Sequence, residues 1–213
     1  SGDFPWFFPK SEILYIAAVD CTGHGVPGAL LSFIGYFILN NIVDHDEELA
    51  ASKILDKLHI EVRRTLRQDK ADAHARDGMD IAFCKINLDK NTLEYSGAHR
   101  PLYQLRDGKL KQYKGNPKAI GGIPPRRRAE KDFKNYEIDI KEGDKIFFFS
   151  DGLPDQIGGP DGRKYQAKRV REEIITHQDY SMSRYSKHFA RDFNKWKGDN
   201  KQIDDVLLIG IEF

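Results

Sequence analysis

The chain of 213 residues sets 34 Lys+Arg against 33 Asp+Glu, a net charge of +1 that argues against a polyanion-seeking, nucleic-acid-binding protein. Hydrophobic residues make up 39% and aromatic residues 11%, ample material for a packed core and the opposite of a disordered chain. The apolar segment Val26–Val43 is interrupted by Pro27, Gly28, Ser32, Gly35, Asn40 and Asn41, so no run reaches the roughly 20 consecutive apolar residues of a membrane span.

Cys21 and Cys84 lie far apart and form no CxxC pair, which excludes a thiol-rich metal site and a disulfide scaffold. That usage fits a reducing, cytoplasmic setting. The chain opens at Ser1-Gly2-Asp3 without an initiator Met, as a piece of a longer protein would.

Glu12–Asp20 is an apolar run of strand length. A glycine-rich segment, Cys21–Gly28, leads into a helix over Pro27–Val43 that is apolar on nearly every face, as a helix covered on two sides would be. A second helix is expected over Glu47–Gln68, with Leu49, Ile54, Leu58 and Val62 as its inward stripe, then a polar loop over Asp69–Asp77. Strands are expected at Ile81–Asn87, Thr92–Gly97, Leu102–Arg106 and Leu110–Tyr113, joined by turns at Asp89–Asn91 and Asp107–Gly108 in an antiparallel meander. Lys114–Lys134 reads as a long surface loop. Tyr136–Ile140 and Lys145–Ser150 read as another hairpin, and helices at Ala167–Thr176 and Met182–Trp196 precede a last apolar run, Val206–Phe213. Strands and helices in separate blocks predict an α+β fold, a sheet core with helices outside, in a single domain over residues 1–213.

The acidic residues carry the chemistry. LYIAAV runs into Asp20, KIFFFS runs into Asp151, and VLLIGI is entered from Asp204 and Asp205, while Asp3 sits between Gly2 and a run of aromatics. Carboxylates held at strand ends and aimed at one point repel unless a cation stands between them. Oxygen ligands without Cys and with few His suit Mg²⁺ or Mn²⁺ rather than Zn²⁺. The bland account is that Asp at a strand end forms a turn.

At these residues the chain resembles the metal-dependent protein phosphatase (PPM) family, in its bacterial SpoIIE-like branch of serine/threonine phosphatases. The matching pieces are SGDF at residues 1–4, DCTGHGVPGALLS at 20–32, LEYSGAHRPLY at 93–103, FFFSDGLPDQ at 147–156 and DDVLLIGI at 204–211. They occur in family order along nearly the whole chain. The resemblance implies a β-sandwich of two antiparallel sheets flanked by helices, with two Mg²⁺ or Mn²⁺ ions at one edge between the sheets. It implies that Asp20 bridges both ions and that the Cys21 carbonyl and Asp3 serve one of them. It also implies that Asp151 and Asp204 hold the other ion, and that Asp155 stands near a third, weaker metal. The activity implied is hydrolysis of phosphoserine or phosphothreonine by a water bridging the metals, without a covalent enzyme intermediate. The substrate class implied is a small phosphorylated regulator such as an anti-sigma-factor antagonist, with an N-terminal sensor domain outside this chain. The closing motif departs from the family's Asp-Asp-x-Thr in carrying Leu207, and Pro5 stands where an aromatic is common.

Several residues keep two readings. His24 is either a general acid or a residue that orders the loop. Arg100 contacts substrate phosphate or lies in solvent at a hairpin tip, and His99 shares that choice. The run Arg126–Arg128 docks an acidic partner or is a solvated loop. Asp77 and Asp80 are outer carboxylates or turn-formers. The helix over residues 27–43 is a homodimer interface or an ordinary core helix. The rival functions are a catalytically weak or inactive regulatory module of the same fold, and a hydrolase of small phosphomonoesters or nucleotides.

Overall fold

The structure, a computed structural model, describes residues 2–23, 25–45, 49–70, 77–123 and 130–213. Its first sheet contains β1 (Phe4–Lys10), β2 (Ile13–Cys21), β3 (Gly78–Asn87), β4 (Thr92–Ala98) and β8 (Tyr136–Asp139), hydrogen-bonded in that order, with the short β7 (Ile120–Gly121) added beside β3. The second sheet runs β12 (Leu208–Glu212), β9 (Lys145–Phe149), β5 (Leu102–Arg106), β6 (Lys109–Tyr113). Every strand pairing in both sheets is antiparallel. Helices α1 (Gly25–His45) and α2 (Ala51–Thr65) cover the first sheet. Beyond the second sheet lie α4 (Ala167–Thr176) and α5 (Met182–Lys197), with the one-turn α3 (Gly152–Asp155) and a small ribbon of β10 (Ile157–Gly158) and β11 (Arg163–Lys164).

Strand alternation sorts the side chains into three cores. On β2, Tyr15, Ala17, Val19 and Cys21 face α1 and α2, while Ile16 and Ala18 face the second sheet. On β9, Ile146 and Phe148 fill the space between the sheets, whereas Phe147 and Phe149 meet Tyr185, Phe189 and Phe193 of α5. The result is the expected α+β sandwich in four layers: helices, sheet, sheet, helices. By parity Asp20 and Asp80, cross-strand partners at one end of β2 and β3, lie on the face between the sheets.

Three expectations are corrected. The run 81–113 is not one meander, because β3–β4 belongs to the first sheet and β5–β6 to the second. Residues 136–150 do not form a hairpin: β8 pairs with β4, and β9 pairs with β5 and β12. The chain changes sheet at the buried Asp144, which accepts hydrogen bonds from Arg106, from Gln104 at 3.1 Å and from the Lys141 N–H at 3.0 Å. The supposed surface loop 114–134 contributes β7 and buries Ile120 and Phe133 in the core beneath α2. Arg126–Arg128, His24 and Glu47–Glu48 fall outside the described residues.

Helix α1 extends the expected span at both ends. By length and hydropathy it is the one helix among the described residues that could cross a membrane, with a mean hydropathy of 1.6. In the fold, Leu31, Leu39, Ile42 and Val43 are buried beneath it, while Val26, Leu30, Phe33 and Phe37 are exposed along its outer side. Strand β1 had no counterpart in the sequence reading. It is an edge strand, which is why Pro5 and Pro9 are tolerated in it.

Candidate metal centre

Four chain segments meet at the end of the sandwich where β2 and β9 finish and β3 begins. Asp20 closes the inter-sheet face of β2, Asp151 follows β9, Asp3 precedes β1, and Asp204–Asp205 approach β12. The segments are held closely by backbone contacts that only glycine allows. A Cβ on Gly2 would lie 2.8 Å from the Cys21 carbonyl oxygen, and one on Gly152 would lie 1.8 Å from that of Asp205. Hydrogen bonds complete the lacing: the Gly2 N–H donates to Asp205 Oδ2 at 3.0 Å, and Ser32 Oγ donates to the Gly2 carbonyl at 2.6 Å. Ser150 Oγ donates to the Asp205 carbonyl at 3.3 Å and accepts from the Leu207 N–H at 3.0 Å.

The carboxylates form two adjoining groups. Asp3, Asp204 and Asp205 offer oxygens that all lie within 4.8 Å of one another. Asp20 touches that group through Asp3, with which it shares a hydrogen bond. On its other side Asp20 Oδ2 lies 3.5 Å from the Asp151 N–H and 2.9 Å from Arg100 Nη2. Arg100 Nη2 is also 2.8 Å from Asp80 Oδ2 and 2.7 Å from Asp151 Oδ2. Asp20 therefore stands between the two groups, the place a shared ligand must occupy.

Electrostatics make this arrangement costly without cations. Burial raises Asp20 to about 8, against the pull of Arg100 and with help from Asp3 and Asp151. Burial also raises Asp3 to about 6, opposed by a hydrogen bond with Ser150 and reinforced by Asp205 and Asp204. Burial works against the Arg100 charge, but Asp80, Asp20 and Asp151 outweigh it and hold the guanidinium above its ordinary range. Hard oxygens spaced within reach of a common centre, and reluctant to ionise together, suit Mg²⁺ or Mn²⁺.

Asp3, Asp20, Asp151 and Asp204 thus come together as the sequence suggests. Cys21 turns its thiol into the helix-side core, where burial pushes it up to about 12, and its carbonyl faces Gly2. The carboxylate of Asp155, on the one-turn helix that follows Asp151, pairs with Lys164 at 2.9 Å. Arg100 is neither at a solvated tip nor free: its side chain is 16% exposed and sits among carboxylates. Its backbone is fixed where the chain passes from β4 to β5, by left-handed His99 (φ 57°) and by the Tyr95 hydroxyl, which donates to the Arg100 carbonyl. His99 Nδ1 lies 2.8 Å from Asp80 Oδ1. Sequence reasoning undervalued Asp80 and Asp205. Strand parity with Ala82 and Cys84 was the available signal for Asp80; Asp205 had only its place beside Asp204.

Two stacked antiparallel sheets, outer helices and acidic strand ends at their common edge define the PP2C-type phosphatase fold. The SiaA-PP2C domain of Pseudomonas aeruginosa superposes with a TM-score of 0.86 at 25% identity, covering 100% of this chain and 80% of that one. A structure of the PP2C phosphatase domain and a regulatory fragment of SpoIIE from Bacillus subtilis gives a TM-score of 0.75 at 13% identity, over 100% of this chain and 58% of that one. The chain belongs to the Stage II sporulation protein E (SpoIIE) family, whose model matches residues 11–213. It is 24% identical over 156 residues to the phosphoserine phosphatase RsbU of Bacillus subtilis (strain 168), matching 72% of this chain and 42% of that relative. This family of bacterial signalling phosphatases is metal-dependent.

Proposed function

We propose that this chain is a metal-dependent protein serine/threonine phosphatase acting on a phosphoserine or phosphothreonine of a signalling protein. The observation that carries the reading is the position of Asp20 between the Asp3/Asp204/Asp205 group and Asp151, in a chain of this family. Asp20 would be shared by two divalent cations, with Asp3 and the Cys21 carbonyl serving one and Asp151 and Asp204 the other, and with Asp205 added from its place beside Asp3 and Asp204. Mg²⁺ or Mn²⁺ in such a site supplies charge to phosphate oxygens and acidity to water. The chain's own work is to fix the acids: the Gly2 and Gly152 contacts set the spacing, and Ser150 ties the Asp204–Asp205 segment to Asp151. With Asp20 and Asp151 engaged by cations, the Arg100 guanidinium would keep Asp80 at Nη2 and could offer its remaining charge to a phosphate monoester. Asp155, paired with Lys164, would stand near a third, weaker metal.

The partner class the family resemblance implies is a small phosphorylated regulator of the anti-sigma-factor-antagonist kind, and the name of the RsbU relative, a phosphoserine phosphatase, supports phosphoserine as the group removed. The exposed Val26, Leu30, Phe33 and Phe37 on α1 support a homodimer through that helix. A cytoplasmic location beside a sensor domain fits such a partner. A second reading, a regulatory domain that holds metal weakly, is favoured by one observation: Arg100 already neutralises Asp20 and Asp151. Hydrolysis of p-nitrophenyl phosphate with Mn²⁺, with Mg²⁺ and with chelator tests the main reading. Turnover that needs metal and vanishes in Asp151→Asn supports it, whereas metal-independent turnover overturns it.

A further inference from the structure

Arg100 presents one nitrogen, Nη2, to three carboxylates carried by separate strands or strand ends, at 2.9 Å from Asp20, 2.8 Å from Asp80 and 2.7 Å from Asp151. The contact to Asp151 has hydrogen-bond geometry. An Nη carries two hydrogens, so three acceptors at this range amount to charge compensation, the way hard oxygens gather around a metal ion. Two of the three acids, Asp20 and Asp151, are those the proposed phosphatase reading gives to divalent cations, and the inference rests on that reading. Asp80 is different. Its Oδ1 is engaged by His99 at 2.8 Å, and its Oδ2 faces Arg100, which leaves it a standing partner for the guanidinium.

The arm is anchored at its root and loosely held along its length. The Arg100 carbonyl accepts from Tyr95, its N–H donates to the Ala98 carbonyl at 2.6 Å, and His99 before it is left-handed. Its Nε, by contrast, is buried without a hydrogen-bond partner. An unsatisfied buried donor penalises this pose and favours any movement that pairs it. We propose that Arg100 is a built-in cation that occupies the metal centre, competes with divalent ions for Asp20 and Asp151, and withdraws onto Asp80 when they bind. The consequence is a phosphatase whose metal affinity is set below what its carboxylates alone would give.

The test is calorimetric titration of metal-stripped protein with Mn²⁺, comparing wild type, Arg100→Gln and Asp20→Asn. The Gln variant is expected to bind Mn²⁺ at least about tenfold more tightly, the weight of one charge-assisted contact removed from the competition. Equal or weaker binding by a folded Gln variant overturns the proposal. Binding in wild type that is lost in Asp20→Asn supports the underlying site independently of Arg100, and no Mn²⁺ bound by wild type or the Gln variant overturns both readings. Wild-type protein alone gives a second measurement that needs no variant to fold. The Arg100 Nε–H signal in a ¹⁵N–¹H spectrum should move on addition of Mg²⁺ and saturate with it. A signal that stays in place while Mg²⁺ binds contradicts displacement.

Discussion

Gly152→Ala probes how closely the two acidic groups are packed. Gly152 opens α3 directly after Asp151, and an added Cβ would lie 1.8 Å from the Asp205 carbonyl oxygen and 2.8 Å from its carbon. Even close C···O contacts stand at about 3.3 Å, so the segment bearing Asp204 and Asp205 must retreat from Asp151 by roughly 1.5 Å. The Ser150 hydroxyl, which ties both segments together, resists that retreat. Overpacking of this kind costs about 1–3 kcal/mol. For a domain of this size each kcal/mol lowers Tm by about 2–4 °C, so a fall of roughly 2–12 °C is expected. The retreat also widens the centre, so the rise in Tm on adding saturating Mn²⁺ should shrink. Thermal unfolding followed by circular dichroism, with and without Mn²⁺, reads both effects. An alanine variant that melts within about 1 °C of wild type and gains equally from Mn²⁺ refutes the reasoning.

Other consequences are open to the same kinds of measurement. Asp20 and Asp3 are raised to about 8 and about 6, so the metal-free fold keeps protons that the unfolded chain releases near its ordinary carboxylate value. Metal-free stability is therefore fully present below about pH 4 as far as these groups go, and is lost as pH rises toward 8. Metal binding expels the proton that Asp20 still holds between pH 6 and pH 8, so Mn²⁺ affinity should climb by up to about tenfold per pH unit there; titrations at pH 6 and pH 8 with equal affinity would contradict this. Phe148 is fully buried between the sheets, and Phe148→Ala should cost about 3–5 kcal/mol in urea unfolding. A cost under about 1 kcal/mol would mean the two sheets are not packed as described. Phe33→Asp with Phe37→Asp should convert a dimer to monomer in sedimentation while leaving the melting curve nearly unchanged, because both side chains are exposed. Unaltered sedimentation of a dimer would place its interface elsewhere.

The acids at strand ends were legible because each terminates or introduces an apolar run, and a strand end fixes direction as well as position. Asp80 was harder, since the expected strand began at Ile81 and its parity with Ala82 and Cys84 was cut off. Strand β1 was hidden by Pro5 and Pro9, which argue against a central strand and are harmless at an edge. Hairpin turns are local and were readable, but sheet membership is not local. It depends on the left-handed corner at His99 and on the buried Asp144, whose side-chain partners are Gln104 and Arg106 on β5 and the Lys141 N–H after β8. The same corner explains Arg100. A sequence can say that an arginine follows β4, but the Tyr95 bond and the His99 backbone turn it inward among the carboxylates.

Release of inorganic phosphate from a phosphoserine peptide, measured in wild type and Asp20→Asn with Mn²⁺ and with chelator, tests the central claim most directly. The account predicts release that depends on metal and falls by at least about a hundredfold when the shared carboxylate is removed. Release that survives the chelator, or that is untouched by Asp20→Asn, would contradict it.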